Sequence, residues 1–239
     1  MTETKPLSGK LALVTGASRG IGAATAETLA REGAHVLLVA RTASALEEVE
    51  ERIHQAGGSA TIAPLDLTDG EGIGKLGAAV AERWGQLDVL VLNAAMLGSL
   101  TPVEHIDPKE YSRILTLNVG SSQALIAAFD PILRKAERAD VIGVTSSVGH
   151  KPRAFWGAYG SSKAGLENLL GSYADETEHT KRIRVHIVDP GATRTRMRQL
   201  AFPGEEPESV KPPEVVAEFI VGRVLSDAPT GELVRAPDA

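Results

Sequence analysis

The chain has 239 residues, 43% hydrophobic, 23% charged and 4% aromatic, with 25 basic and 31 acidic side chains and a net charge of −6. That composition excludes a disordered or collagen-like chain, and the length suits a single α/β domain with a full core. The acidic balance argues against nucleic acid as a partner, and the lack of cysteine excludes disulfides, thiolate nucleophiles and Cys-ligated metal sites.

No pair of histidines stands at helical metal-binding spacing, so no metal is expected. Residues 1–10 are polar, and no apolar run approaches the ~18 residues of a bilayer span. The expectation is a cytoplasmic protein with no leader and no membrane partner.

Along the chain, short β-branched or leucine-rich runs alternate with longer segments of helical period. Strands are expected at 10–15, 35–40, 60–65, 87–93, 141–146 and 185–189, and a last short one near 232–235. Helices are expected at 21–32, 44–56, 72–84, 109–128 and 161–177, with another starting near Glu214. The first two strands, LALV and VLLVA, are continuous apolar runs, as in a parallel sheet covered on both faces. The fold class is therefore α/β, a Rossmann-like doubly wound domain spanning 1–239 with a mostly parallel sheet of about seven strands flanked by helices. The segment 201–213, AFPGEEPESVKPP, has no clean period, and together with 195–200 it is expected to act as a lid over a substrate.

The first strand runs into Thr15-Gly16-Ala17-Ser18-Arg19-Gly20-Ile21-Gly22 and then a helix. Strand, glycine turn and helix N-terminus together bind a pyrophosphate, because free backbone N–H groups and the helix dipole face the anion. The spacing Gly-x-x-x-Gly-x-Gly differs from the Gly-x-Gly-x-x-Gly fingerprint, and a tight turn alone would also explain it. The second strand ends Val39-Ala40-Arg41, with no carboxylate for a ribose hydroxyl. Arg41 and Arg19 instead suit a 2′-phosphate, so NADP(H) is preferred and NAD(H) remains the alternative. Asp66, closing the third strand, is a candidate acceptor for the adenine amino group, or a turn residue.

Hydride transfer at a carbonyl needs an acid/base and a polarising donor. Tyr159 and Lys163 stand one helical turn apart in YGSSK, and an ammonium near a phenol is expected to favour the phenolate. Ser146 ends the fifth strand, where it is placed to donate to a substrate oxygen. Asn118 falls inside a predicted helix, where asparagine is a poor former unless a local distortion gives it a purpose.

In order, TGASRGIG at 15–22, LDL at 65–67, LNAA at 92–95, LNVGS at 117–121, TSS at 145–147, YGSSK at 159–163 and DPGATRT at 189–195 make the sequence similar to the short-chain dehydrogenase/reductase family over essentially its whole length. The resemblance implies a catalytic tetrad of Asn118, Ser146, Tyr159 and Lys163: Tyr159 as acid/base, Lys163 lowering its pKa and holding the nicotinamide ribose, Ser146 orienting the carbonyl, and Asn118 anchoring a proton-relay water. It implies cofactor contacts from Gly16, Ser18, Arg19, Gly20, Ile21, Gly22, Arg41, Asp66, Leu67, Asn93, Ala94, Tyr159, Lys163, Pro190, Gly191, Thr193 and Thr195, the last at the carboxamide. It also implies a homodimer or homotetramer.

Ala95 departs from the family's glycine and is tolerated if its φ is negative. Ser147 is the alternate to Ser146, which the ungapped strand favours. Arg153, Arg194, Arg196 and Arg198 near the expected cleft raise the expectation of an anionic substrate, phosphorylated or carrier-linked. The function expected is an NADP(H)-dependent carbonyl reductase. The alternatives are an NAD-linked sugar or steroid alcohol dehydrogenase and a non-catalytic dinucleotide-binding sensor or scaffold.

Overall fold

The computed structural model describes residues 5–238, so the outermost ends of the expected domain, 1–4 and 239, lie outside the described residues. β1 (Leu11–Thr15), α1 (Gly20–Arg31), β2 (His35–Ala40), α2 (Ala43–Gln55), β3 (Ser59–Pro64) and α3 (Gly70–Trp84) form the first half. β4 (Val89–Leu92), α4 (Pro108–Leu115), α5 (Ser121–Leu133), β5 (Ala139–Val144), α6 (Ser147–His150), α7 (Gly157–Glu178), β6 (Ile183–Asp189), α8 (Arg196–Ala201), α9 (Pro213–Leu225) and β7 (Leu233–Arg235) complete it.

All seven strands join one parallel sheet in the order β3-β2-β1-β4-β5-β6-β7. Strand direction and pleat explain the apolar runs. In β1, Ala12 and Val14 enter one core, with Leu29 of α1 and Ile220 of α9, while Leu11 and Leu13 enter the other, with Val80 of α3, Phe129 of α5 and Leu170 of α7. Successive side chains point to opposite faces, and both faces are covered.

The chain works outward from β1 to β3 and then crosses back to β4, which lies beside β1. That reversal opens a crevice at the carboxyl ends of β1 and β4, the usual ligand position of such sheets. A Cβ on Gly143 would sit 2.0 Å from Leu170 Cδ1, so the leucine of α7 packs into the space the glycine leaves on β5.

Two departures from the expected elements follow from local chemistry. The helix expected at 109–128 is divided: α4 and α5 flank a π-turn at Thr116–Gly120 that contains Asn118. The segment expected to be irregular at 201–213 has a 3₁₀ turn at Pro207–Ser209, and Lys211 pairs with Thr193 in a parallel bridge. Its buried Nζ donates to the carbonyls of Ala236 (3.2 Å) and Pro237 (2.6 Å), tying the loop to the chain beyond β7.

Candidate active site

The glycine loop leaves β1 at Thr15 and enters α1 at Gly20. α1 has neither a side-chain cap nor an acidic residue in its first turn, so its leading N–H groups are left for a ligand. A Cβ on Gly22 would stand 2.3 Å from Gly16 O and 2.5 Å from Asn93 Nδ2, so the turn is packed against the end of β4. Asn93 Nδ2 donates to Thr15 O at 2.9 Å, and the Asn93 and Ala94 amides donate to Thr15 Oγ1 at 3.0 and 3.2 Å. These bonds hold both lips of the crevice in register.

The segment after β6 closes onto it. Gly191 (φ +64°) donates to Asp189 Oδ1 at 2.9 Å, and Thr193 Oγ1 donates to the Pro190 carbonyl at 3.2 Å. Thr195 Oγ1 accepts from Arg198 N at 3.2 Å and caps α8, while its Cγ2 lies 3.4 Å from where a Gly20 Cβ would be. Glycine loop, Asn93 segment and Pro-Gly segment therefore meet around one opening that fits a dinucleotide.

Ser18 and Ile21 are half-buried on the loop, and Arg19 of the loop and Arg41 just after β2 are exposed. Asp66 Oδ1 accepts from Thr68 N (2.9 Å) and Thr68 Oγ1 (2.8 Å), which keeps its carboxyl below the usual range with further help from nearby Arg41. The turn contacts use Oδ1 alone. Leu67 is buried in the core.

The residues expected at the reacting centre come together beside this opening. Asn118 Nδ2 donates to Met96 O and Ser162 Oγ, both at 2.9 Å, and its Oδ1 accepts from Met96 N at 2.8 Å. The π-turn is the distortion that turns this asparagine inward, at 1% exposure. Tyr159 and Lys163 are buried on the first turns of α7, with Lys163 Nζ 5.6 Å from the phenol ring centre. Lys163 Nζ donates to Val144 O at 2.8 Å, the last carbonyl of β5. Ser146 is extended just past that strand and makes no capping bond with its side chain, whereas Ser147 is already the first residue of α6.

The electrostatics differ from the expected phenolate. Burial, and secondly the Asp189 carboxylate, push the Tyr159 phenol above its ordinary value. Burial lowers the Lys163 ammonium to about 8, against an opposing pull from Glu167. In the chain without dinucleotide, Tyr159 is a protonated donor, because desolvation outweighs the charge placed one helical turn away.

A family model, described as short chain dehydrogenase, matches residues 10–206. The chain belongs to the short chain dehydrogenase family. It is an oxidoreductase of the NAD(P)-dependent dehydrogenase fold. It is 36% identical over 210 residues to the oxidoreductase YciK of Escherichia coli K12, covering 87% of this chain and 82% of that one. A short chain dehydrogenase of Shigella flexneri 2a str. 301, complexed with NADP, superposes with a TM-score of 0.92 at 33% identity over 98% of this chain and 99% of that one. One from E. coli CFT073, complexed with NADPH, has a TM-score of 0.92 at 34% identity and the same coverage.

Against the family pattern, Ala95 is not among the residues with positive φ, so its methyl is accommodated. Two of the four arginines expected at the mouth are paired. Arg198 is held by both oxygens of Glu205 at 2.6 and 2.5 Å, and Arg194 pairs with Glu208 at 2.5 Å, so acidic residues of the 201–213 loop offset half of the expected charge. Arg196 and Arg153 stay exposed, Arg153 lying over the rings of Trp156 and Phe202 at 5.8 and 5.1 Å.

Two residues of this short chain dehydrogenase escaped sequence reasoning. Ser162 links Asn118 to α7, accepting from Nδ2 while donating to Tyr159 O at 2.7 Å. Glu167 accepts from Thr145 Oγ1 at 2.6 Å and pairs with His150 Nδ1 at 3.1 Å, clamping the loop after β5 to α7. The available signal was helical period: Tyr159, Lys163 and Glu167 are successive turns of one face.

Proposed function

We propose that this protein is an NADP(H)-dependent oxidoreductase that interconverts a ketone and a secondary alcohol, acting as a carbonyl reductase. The observation that carries this reading is the buried, protonated Tyr159 one turn before the buried Lys163, at the edge of a crevice built for a dinucleotide. NADP(H), when bound, supplies or accepts the hydride. The two relatives complexed with NADP and NADPH support that choice, as do the exposed Arg19 of the glycine loop and Arg41 just after β2.

In the reductive direction Tyr159 Oη gives its proton to the carbonyl oxygen as charge develops there. Ser146, whose hydroxyl is left free by the capping geometry, donates to the same oxygen and orients it. Lys163, fixed to Val144 O, stabilises the phenolate left behind and has donors to spare for the ribose. Asn118, locked at its side chain by Met96 and Ser162, holds the π-turn open so that a relay water can return a proton toward Lys163. When the dinucleotide is bound, Gly16, Gly20, Gly22, Asn93 and Ala94 would hold its pyrophosphate and nicotinamide ends, with Pro190, Gly191, Thr193 and Thr195 facing them.

The test is Tyr159→Phe. Ketone-dependent NADPH oxidation should fall by at least about a thousandfold while NADPH still binds. Unchanged turnover would remove Tyr159 from the role of proton donor.

A further inference from the structure

Among the described residues, the three most exposed large hydrophobic side chains are Val103 (71%), Leu200 (68%) and Phe155 (56%). They are far apart in sequence, yet each lies on one of the three segments that frame the site: the connection after β4, the loop after β5, and α8. Their chain neighbours lead to the reacting centre. Trp156, next to Phe155, meets the Tyr159 ring edge-on at 6.0 Å and the Phe202 ring at 5.8 Å. Val103 Cγ2 lies 3.1 Å from where a Gly157 Cβ would be, one residue further along.

Two more observations say what this rim is for. Phe155 holds φ at +72°, a conformation that bulky side chains rarely adopt, so its exposed ring is kept in place against a backbone penalty. Of the four arginines at this rim, Arg194 and Arg198 are paired with Glu208 and Glu205, Arg198 lying 3.7 Å from the centre of the Phe202 ring, while Arg153 and Arg196 are exposed and Arg153 lies over the rings of Trp156 and Phe202. Water-exposed apolar surface at a site mouth, with two of its four arginines paired and a third lying over its aromatic rings, favours an apolar ligand over an anion.

We infer that the substrate is a ketone carrying an alkyl chain, which lies over Val103, Phe155 and Leu200 while its carbonyl reaches Tyr159. This rests on the carbonyl-reductase reading above and names its substrate class.

The experiment is a series of unbranched 2-alkanones from 2-butanone to 2-decanone with NADPH, and 4-oxopentanoate as the anionic counterpart of 2-pentanone. For the wild-type protein kcat/KM should rise by up to about fourfold for each methylene that leaves water. Phe155→Ser and Leu200→Ser, both surface changes that leave the core intact, should flatten that rise through KM and not through kcat. Equal slopes in wild type and variants, or preference for 4-oxopentanoate, would overturn the inference. So would a change of oligomeric mass in these variants with the slope unaltered, since the patch would then be a contact between copies.

A binding readout separates the two readings. The chain has two tryptophans, so Trp84→Phe leaves Trp156 as the only reporter. Quenching of Trp156 by 2-decanone and not by 4-oxopentanoate, in protein loaded with NADP, supports the apolar site even if no ketone is reduced, an outcome that would sink the reductase reading alone. Turnover of short ketones without 2-decanone binding would sink the apolar site alone.

Discussion

Replacing Lys163 by methionine removes a buried charge, and its effect on stability has a sign and a pH window that follow from the structure. Lys163 is 2% exposed, and burial lowers its ammonium from 10.5 to about 8. Below about pH 8 the folded chain carries the ammonium at a cost of about 3 kcal/mol relative to the unfolded chain, which holds the same proton without penalty. Between about 8 and 10.5 the unfolded chain binds more protons than the folded one, so the stability of the wild-type protein rises with pH through that window.

Methionine avoids the ionic cost but loses the hydrogen bond to Val144 O, worth roughly 1 kcal/mol. At pH 7, without dinucleotide, the variant should be more stable by about 2 kcal/mol and inactive. By pH 10 that advantage should be gone, the difference having closed by roughly 2 kcal/mol. Urea unfolding followed by circular dichroism at both pH values, with equal m-values, measures it, and taking the difference between the two proteins cancels every other titrating group. A stability difference that is the same at pH 7 and pH 10 would refute the assignment of a depressed, desolvated ammonium to this position.

Gly22→Ala should abolish NADPH binding and lower Tm, because the new methyl would meet Gly16 O at 2.3 Å, and a backbone atom cannot swing aside; calorimetric titration and a thermal melt check both. Arg41→Ala should weaken NADPH by about tenfold or more and leave NADH nearly unchanged, as expected for a lost charge-assisted bond to a phosphate; equal losses for both dinucleotides would remove Arg41 from that role. Asp140→Ala should cost roughly 3–5 kcal/mol in urea unfolding, since it leaves Arg184 and the fully buried His186 without the carboxylate that both contact at 2.7 Å.

Much of this protein is written in local sequence. The apolar runs of β1 and β2 specify strands buried on both faces, and their alternation with helical period specifies a parallel sheet, because few other arrangements cover both faces. Glycines after β1 and the order of Asn118, Ser146, Tyr159 and Lys163 carry the family, since backbone shape and proton chemistry there depend on residue type alone. Even the awkward asparagine inside a helix was legible as a distortion, although not as a π-turn locked onto Met96 and Ser162.

Quantities that depend on neighbours distant in sequence were not legible. Four arginines around the cleft read as a cationic mouth until Glu205 and Glu208 of the same loop took up two of them. Tyr159 beside Lys163 read as a phenolate until burial and Asp189 reversed the direction. In each case residue type sets what a side chain is able to do, while packing sets the dielectric and the partners that decide which of those things it does.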